Sequence, residues 1–191
     1  MLPILIEVGK ENSMIKIPSP VECLNLLKKY GTYPHIIAHS KQVAKIALFL
    51  AHSLKDVGID LNLSLIEAGA LLHDIAKTYS LKHPNINHAE KGAEWITALG
   101  YPEVAEIIRW HVELPNELKI EERTIVNYSD KRVKHQTIVS LEERFEDLIK
   151  RYGKDEKSRQ RIEEFYNRTK ALEKIIFSHL PFGPEFIKTL E

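Results

Sequence analysis

Residues 65–77 read LIEAGALLHDIAK, an apolar stretch that ends in a histidine, an aspartate and a lysine. Leu65, Gly69 and His73 recur at steps of four residues, which is the spacing of one face of an α-helix. His73 therefore lies on the face that is predicted to be buried, and Asp74 follows it directly. A single histidine on such a face is most often a core residue, so its interpretation depends on the rest of the chain.

Four other stretches with helical spacing of apolar residues carry a histidine or an aspartate on the same inward face. Burying these polar groups without partners would cost on the order of several kcal/mol each, whereas a domain is stable by only about 5–15 kcal/mol. A divalent metal ion removes that cost, because imidazole nitrogens and carboxylate oxygens are its ligands. The sequence therefore predicts a metal site whose candidate ligands are His39, His73, Asp74, His88, His111 and Asp130.

The rest of the chain predicts an all-α fold. Capping signals such as Ser19-Pro20-Val21-Glu22 precede the apolar helical stretches, and alternating strand patterns are nearly absent. Only Ile4–Val8 and Met14–Ile17 are candidates for a short N-terminal hairpin. We expect an N-terminal extension at 1–18, a metal-binding helical domain at 19–138 and a helical C-terminal extension at 139–191 packed on the same domain.

Composition restricts the function and the compartment. Twenty-seven basic and 27 acidic residues cancel, which argues against a protein that mainly coats nucleic acid or an anionic membrane. The longest strictly apolar run, residues 46–51, is too short to span a bilayer. The opening residues have no basic stretch typical of a secretion signal, and Cys23 has no second cysteine to pair with. We therefore expect a cytoplasmic protein without a membrane partner; the sequence leaves a homo-oligomer open.

Three motifs together resemble the HD-domain metal-dependent phosphohydrolases. They are His39-Ser40, the LLHDIAK string at 71–77, and Tyr128-Ser129-Asp130-Lys131, and the resemblance covers about residues 33–135. It implies an HD-domain helical bundle with additional C-terminal helices.

The resemblance also implies roles for the six candidate ligands. His39, the pair His73-Asp74 and Asp130 in these motifs correspond to the family's ligands for one metal. Members with two metals add two histidines, and His88 and His111 match these. The implied cofactor is one or two divalent transition metal ions, namely Fe, Mn, Ni, Co or Zn, with Mg as a further candidate. The six-residue set is similar to that of bacterial dinucleoside polyphosphate hydrolases and of ribonuclease Y.

The charges of such a site favour phosphate chemistry. Two divalent ions bring four positive charges and the two aspartates return two negative ones, so about two positive charges remain for phosphate oxygens. Metal-bound water also has its pKa lowered from about 15.7 towards 7. We expect Asp74 and Lys77 to be catalytic, Asp74 by bridging two metals. The candidate substrate-binding residues are His35, Lys77, Lys131 and Arg132.

The predicted function is a metal-dependent phosphohydrolase that cleaves a nucleotide or another small phosphorylated molecule with metal-activated water. A small molecule is favoured over nucleic acid, because the net charge is zero and no stretch resembles an RNA-binding module. Two alternatives use the same residues. One is an HD-fold di-iron oxygenase, and the other is a non-catalytic module that binds a metal or a nucleotide.

Overall fold

Helices dominate the part of the chain that the structure, a computed structural model, describes, which is residues 15–190. In chain order they are α1 (Pro20–Lys29), α2 (Pro34–Asp56), α3 (Leu63–Leu72), α4 (Lys77–Lys82), α5 (His88–Ala98), α6 (Pro102–Trp110), α7 (Glu122–Asp130), α8 (Leu141–Tyr152) and α9 (Glu156–Phe177). A 3-10 helix, Pro184–Leu190, follows α9. The prediction of an all-α fold with additional C-terminal helices is confirmed.

The helices begin where the sequence supplies caps. The Ser19 side chain accepts a hydrogen bond from the Glu22 amide, and the Glu22 carboxylate accepts one from the Ser19 amide. The same reciprocal pair, Ser140 with Glu143, starts α8. Each box satisfies amides that the first helical turn leaves unpaired.

The core forms around α2, which packs against α3 and α7, while α5 packs against α6. Val43, Ile46 and Leu50 lie along the inward face of α2 and are fully buried. This face also carries His39, so the packing that buries the apolar residues also buries the histidine. No helix among residues 15–190 is both long enough and apolar enough to cross a membrane.

A short antiparallel hairpin follows α7, and the sequence did not predict it. Strand β1 (Val133–Lys134) pairs with β2 (Thr137–Ile138), and His135 in the turn has a φ of 57°. Strands of two residues leave no alternating pattern to detect, and the turn lacks the Asn-Gly or Asp-Gly pair typical of such hairpins.

The N-terminal hairpin is not seen where the chain is described. Ile4–Val8 and Met14 lie outside the described residues, and residues 15–17 belong to no strand. Ile17 instead packs against the core cluster as a partly buried side chain.

The two C-terminal helices pack back onto the rest of the bundle. Phe145 of α8 contacts Phe165 and Tyr166 of α9 through edge-to-face ring pairs. Helix α9 then reaches α7 through a hydrogen bond of 2.8 Å from the Tyr128 hydroxyl to the Glu173 carboxylate. Residues 141–177 therefore form one side of the helical assembly and lie against the end of α7.

Gly69 of α3 allows close packing against α6, and this predicts a stability effect. A β-carbon at this position would lie 2.6 Å from Cγ2 of Ile107. We expect Gly69→Ala to lower the free energy of unfolding by about 1–2 kcal/mol, because the overpacking cost exceeds the gain in helix propensity. Urea denaturation followed by circular dichroism measures the change. Gly183→Ala, where a β-carbon meets nothing within 4 Å, is the control. A Gly69→Ala protein as stable as the wild type would show that the packing argument is wrong.

Candidate metal centre

The bundle brings all six predicted ligands to one place, mostly from helix ends. His73 caps the C-terminus of α3, His111 caps that of α6, and Asp130 is the last residue of α7. His88 is the first residue of α5, and His39 lies in the first half of α2. Helix ends converge here because each helix packs its apolar face on the shared core and turns at this edge.

The first group of ligands consists of His39, His73 and Asp130, whose ligand atoms lie within 4.8 Å of one another. Nε2 of His39 is 2.9 Å from Oδ1 of Asp130, and Nε2 of His73 is 3.7 Å from the same oxygen. All three residues are buried.

The second group consists of Asp74, His88 and His111, which meet the same distance limit. Oδ1 of Asp74 is 3.2 Å from Nε2 of His88 and 3.5 Å from Nε2 of His111. The other oxygen, Oδ2, is 3.7 Å from Nε2 of His73 in the first group. Asp74 therefore turns one oxygen towards each group, which is the arrangement of a carboxylate that bridges two metal ions.

Three of the histidines are oriented by main-chain carbonyls. The Nδ1 atoms of His39, His73 and His111 lie 2.9, 2.8 and 2.6 Å from a carbonyl oxygen. When Nδ1–H donates to that oxygen, the Nε2 lone pair faces the centre, as in metal-binding histidines. The accepting carbonyls belong to His135, Ala70 and Ile108.

His73 provides the test of whether these residues fit a metal. It is fully buried, and its Nε2 has no hydrogen-bond partner among the described residues. Burial lowers the pKa of His73 to about 4, so the ring is neutral near pH 7, which is the form that binds metals. A neutral, buried and unpaired imidazole nitrogen beside two carboxylates fits a divalent ion, because an orphaned nitrogen would otherwise destabilise the fold.

The two aspartates remain ionised in spite of burial. Burial alone would raise their pKa values, but nearby lysines hold the pKa of both carboxyls well below the usual value. The main lysine is Lys77 for Asp74 and Lys131 for Asp130. The Lys131 ammonium lies 2.5 Å from Oδ2 of Asp130, so Oδ1 is the oxygen left facing the histidines.

A cavity of about 550 Å³ opens over the two groups. Lys77 lines it, with Nζ 3.3 Å from Nε2 of His88 and 4.0 Å from Oδ1 of Asp74. His35 is exposed at the cavity wall, one helical turn before His39. The structure thus places these two candidate substrate-binding residues beside the ligands.

Lys131 and Arg132, the other two candidate substrate-binding residues, are both buried. Lys131 reaches the cavity wall, but it is 4 % exposed and donates to Asp130 and to the His111 carbonyl. Arg132 does not line the cavity. It is 1 % exposed, and its guanidinium donates to the Val139 carbonyl and the Tyr128 hydroxyl. This placement corrects the expectation that Arg132 meets the substrate, because its donors are used inside the fold.

Sequence reasoning missed the opposite wall of the cavity, which α8 and α9 provide. Arg144, Leu148 and Arg151 line it from α8, and Ile162 and Phe165 line it from α9. The sequence predicted only a helical C-terminal extension packed on the same domain. The spacing of Arg144 and Arg151 by seven residues places them on one helix face, but charged side chains at that spacing are common on surfaces.

Comparison with known sequences identifies the family. The sequence model of the HD domain matches residues 36–134, just over half of the chain. The chain therefore belongs to the HD domain family, whose members bind divalent metals. The matched range contains all six candidate ligands and ends before α8.

Two similar proteins are much longer than this chain. The chain is 37 % identical over 107 residues to the tRNA (cytidine(56)-2'-O)-methyltransferase of Thermoplasma volcanium, covering 56 % of this chain and 29 % of that protein. It is 41 % identical over 78 residues to the methyltransferase of the same name from Picrophilus torridus, covering 41 % and 20 %. The chain thus spans less than a third of either protein.

For two other similar proteins, the alignment with this chain covers most of their length. An uncharacterized protein of Methanocaldococcus jannaschii is 27 % identical over 157 residues, which covers 74 % of this chain and 90 % of that one. The crystal structure of a predicted HD superfamily hydrolase from an uncultured Thermotogales bacterium aligns with a TM-score of 0.49 at 23 % identity, covering 86 % and 95 %.

The placement of Arg132 leads to a prediction about stability. Arg132→Gln leaves the buried Glu173 carboxylate, 3.5 Å from the guanidinium, without this cationic neighbour. We expect the free energy of unfolding to fall by about 2 kcal/mol, because the buried carboxylate loses one cationic partner and keeps Lys170, 3.1 Å away. Arg161→Gln, at an exposed position on α9, is the control in the same denaturation assay. A stable Arg132→Gln protein whose KM alone is raised would instead support the substrate role.

The two ligand groups lead to a prediction about metal content. We expect the protein purified without chelator to contain about two divalent ions per chain, one for each group of three ligands. His88→Ala removes a ligand of the second group only, so the content should fall to about one ion per chain. Elemental analysis by mass spectrometry measures both values, and His52→Ala, at an exposed position, is the control. Equal metal content in His88→Ala and the wild type would contradict a ligand role for His88.

Proposed function

We propose that this protein is a metal-dependent phosphohydrolase that cleaves phosphate esters of small molecules. The observation that carries the proposal is the position of Asp74 between two groups of ligands at the base of a cavity. Two adjacent metal sites that share a carboxylate are suited to a reaction in which the attacking and the leaving oxygen both carry charge.

The six candidate ligands would hold the ions. His39, His73 and Asp130 would hold one ion, the second group would hold the other, and Asp74 would be shared between them. A bound divalent ion supplies Lewis acidity and a water of lowered pKa. The protein's own contribution is to keep the His73 imidazole neutral and both carboxylates ionised, as burial and the adjacent lysines do here.

Lys77 is placed to bind the substrate's phosphate. Its side chain is 31 % exposed and lines the cavity, and the ammonium lies beside His88 and Asp74. An ammonium there can donate to a non-bridging phosphate oxygen while that oxygen approaches the ligand groups. Lys131 acts differently, because its ammonium is held by Asp130 and keeps that carboxylate oriented.

Loss of the shared carboxylate tests the reaction directly. We expect Asp74→Asn to abolish phosphate release from p-nitrophenyl phosphate and from a panel of nucleotides, because the amide cannot bridge the two groups. The assay uses wild-type protein loaded with Mn²⁺ under anaerobic conditions, so turnover there also excludes an oxygenase. A wild-type protein with full metal content that releases no phosphate from any ester would overturn the proposal.

Loss of Lys77 tests its role in phosphate binding. We expect Lys77→Ala to lower kcat/KM by about tenfold, the value of one charge-assisted hydrogen bond. The metal content should stay at the wild-type value. The matched control is Lys82→Ala, a lysine of the same short helix that is exposed and does not line the cavity. Equal values of kcat/KM for the two variants would show that Lys77 does not bind the substrate's phosphate.

RNA is the second candidate substrate, and the names of the two methyltransferase relatives favour it. The zero net charge and the concave site favour a small molecule. A 5'-phosphorylated oligonucleotide in the same phosphate-release assay distinguishes the two. Faster turnover of the oligonucleotide than of every nucleotide tested would make the end of a nucleic acid the substrate.

A further inference from the structure

The cavity has a wall that faces the ligand groups and lies outside the range matched by the HD domain. It consists of Arg144, Leu148 and Arg151 from α8 and of Ile162 and Phe165 from α9. The wall therefore combines an apolar surface with two guanidinium groups. A phosphate bound at the candidate metal ligands does not by itself require such a wall.

Ion pairs among the described residues balance only part of the positive charge on this wall. Arg144 and Arg151 both contact Oδ2 of Asp147, at 3.2 and 3.0 Å, and Lys134 lies 3.6 Å from its other oxygen. Among the described residues, Asp147 is the carboxylate paired with all three cations. One negative charge facing three positive ones leaves an excess of positive charge beside the cavity.

One hydrogen-bond donor on the wall is also without a partner among the described residues. Nε of Arg144 is buried and has no hydrogen-bond partner among the described residues. The Arg144 side chain is only 13 % exposed and contacts Asp147, so the guanidinium is held in place. Arg151 is 39 % exposed and in addition lies 3.1 Å from Nε2 of His135. Asp147 fixes both guanidinium groups, which makes them a preorganised site for an anion.

The wall lies close to the metal ligands. His135 contacts Arg151 through its ring, and its carbonyl oxygen is 2.9 Å from Nδ1 of His39. On the other side, the ring of Phe165 lies 5.3 Å from the Lys131 ammonium, which contacts Asp130. One ligand molecule of moderate size can therefore touch both the wall and the ligand groups within a cavity of about 550 Å³.

We propose that the substrate carries a second anionic group, which Arg144 and Arg151 bind, on an apolar body that packs against Leu148, Ile162 and Phe165. This inference rests on the proposed phosphohydrolase function, and it assigns substrate selection to α8 and α9. The substrate class is a small phosphate ester that carries a second anionic group and an apolar part, such as a nucleoside bisphosphate.

Two nucleotides that differ by one anionic group test the proposal. Adenosine 3',5'-bisphosphate and adenosine 5'-monophosphate share the same body, and only the first has a second anion. We expect the metal-loaded wild-type protein to have a kcat/KM at least about tenfold higher for the bisphosphate, as one charge-assisted contact provides. Arg151→Gln should remove most of this preference by raising KM for the bisphosphate more than for the monophosphate.

Controls separate anion binding from a general effect on the fold. Arg161→Gln, an exposed arginine on α9 outside the cavity, should keep the preference. Arg144→Lys should keep the charge and part of the preference, whereas Arg144→Gln should lose it. A wild-type protein that does not discriminate between the two nucleotides, or an Arg151→Gln variant that loses activity equally on both, would overturn the proposal.

A binding experiment keeps this proposal distinct from the proposed function. Isothermal titration calorimetry measures the affinity of the metal-loaded protein for adenosine 3',5'-bisphosphate whether or not it is cleaved. Binding that weakens about tenfold in Arg151→Gln supports the anion site even if no ester is hydrolysed. If the protein hydrolyses p-nitrophenyl phosphate but its binding of the bisphosphate does not depend on the arginines, the phosphohydrolase function is supported and the second anion site is contradicted.

Discussion

The rest of the site depends on the buried carboxylate of Asp74. One oxygen faces His73 and the other faces His88 and His111, so a single side chain joins the two ligand groups. A buried carboxylate is costly unless cationic partners surround it. The bundle meets this constraint by turning α3, α5, α6 and α7 so that their ends meet at one point. Packing and chemistry therefore specify the same arrangement of helices.

The C-terminal part of the chain supports the centre from outside. Arg132, two residues after the end of α7, donates to the carbonyls of Val139 and Pro184 and so ties the hairpin and the last 3-10 helix to this region. The hairpin in turn places the His135 carbonyl, which orients His39. An arginine that the sequence suggested for substrate binding thus stabilises the segment that positions a ligand.

The cavity has two unlike sides. The side formed by residues 36–134 carries the HD domain's candidate ligands, and the other side comes from α8 and α9. A phosphohydrolase with this division would keep its chemistry in the shared domain and its selectivity in the added helices. Arg144 and Arg151 are the residues through which that selectivity is proposed to act.

The sequence alone predicted the helical fold and the six candidate ligands. Helical periodicity placed five of them on inward faces, Asp74 directly follows one of these five, and capping boxes marked helix starts at Ser19 and Ser140. Periodicity is a local property, however, and it does not tell which helices meet. Only the tertiary structure decided that Arg132 is buried in the fold and that Arg144 and Arg151 face the cavity. The hairpin at Val133–Ile138 was also decided there, since two-residue strands are held by their contacts with α2 and the last 3-10 helix rather than by a sequence pattern.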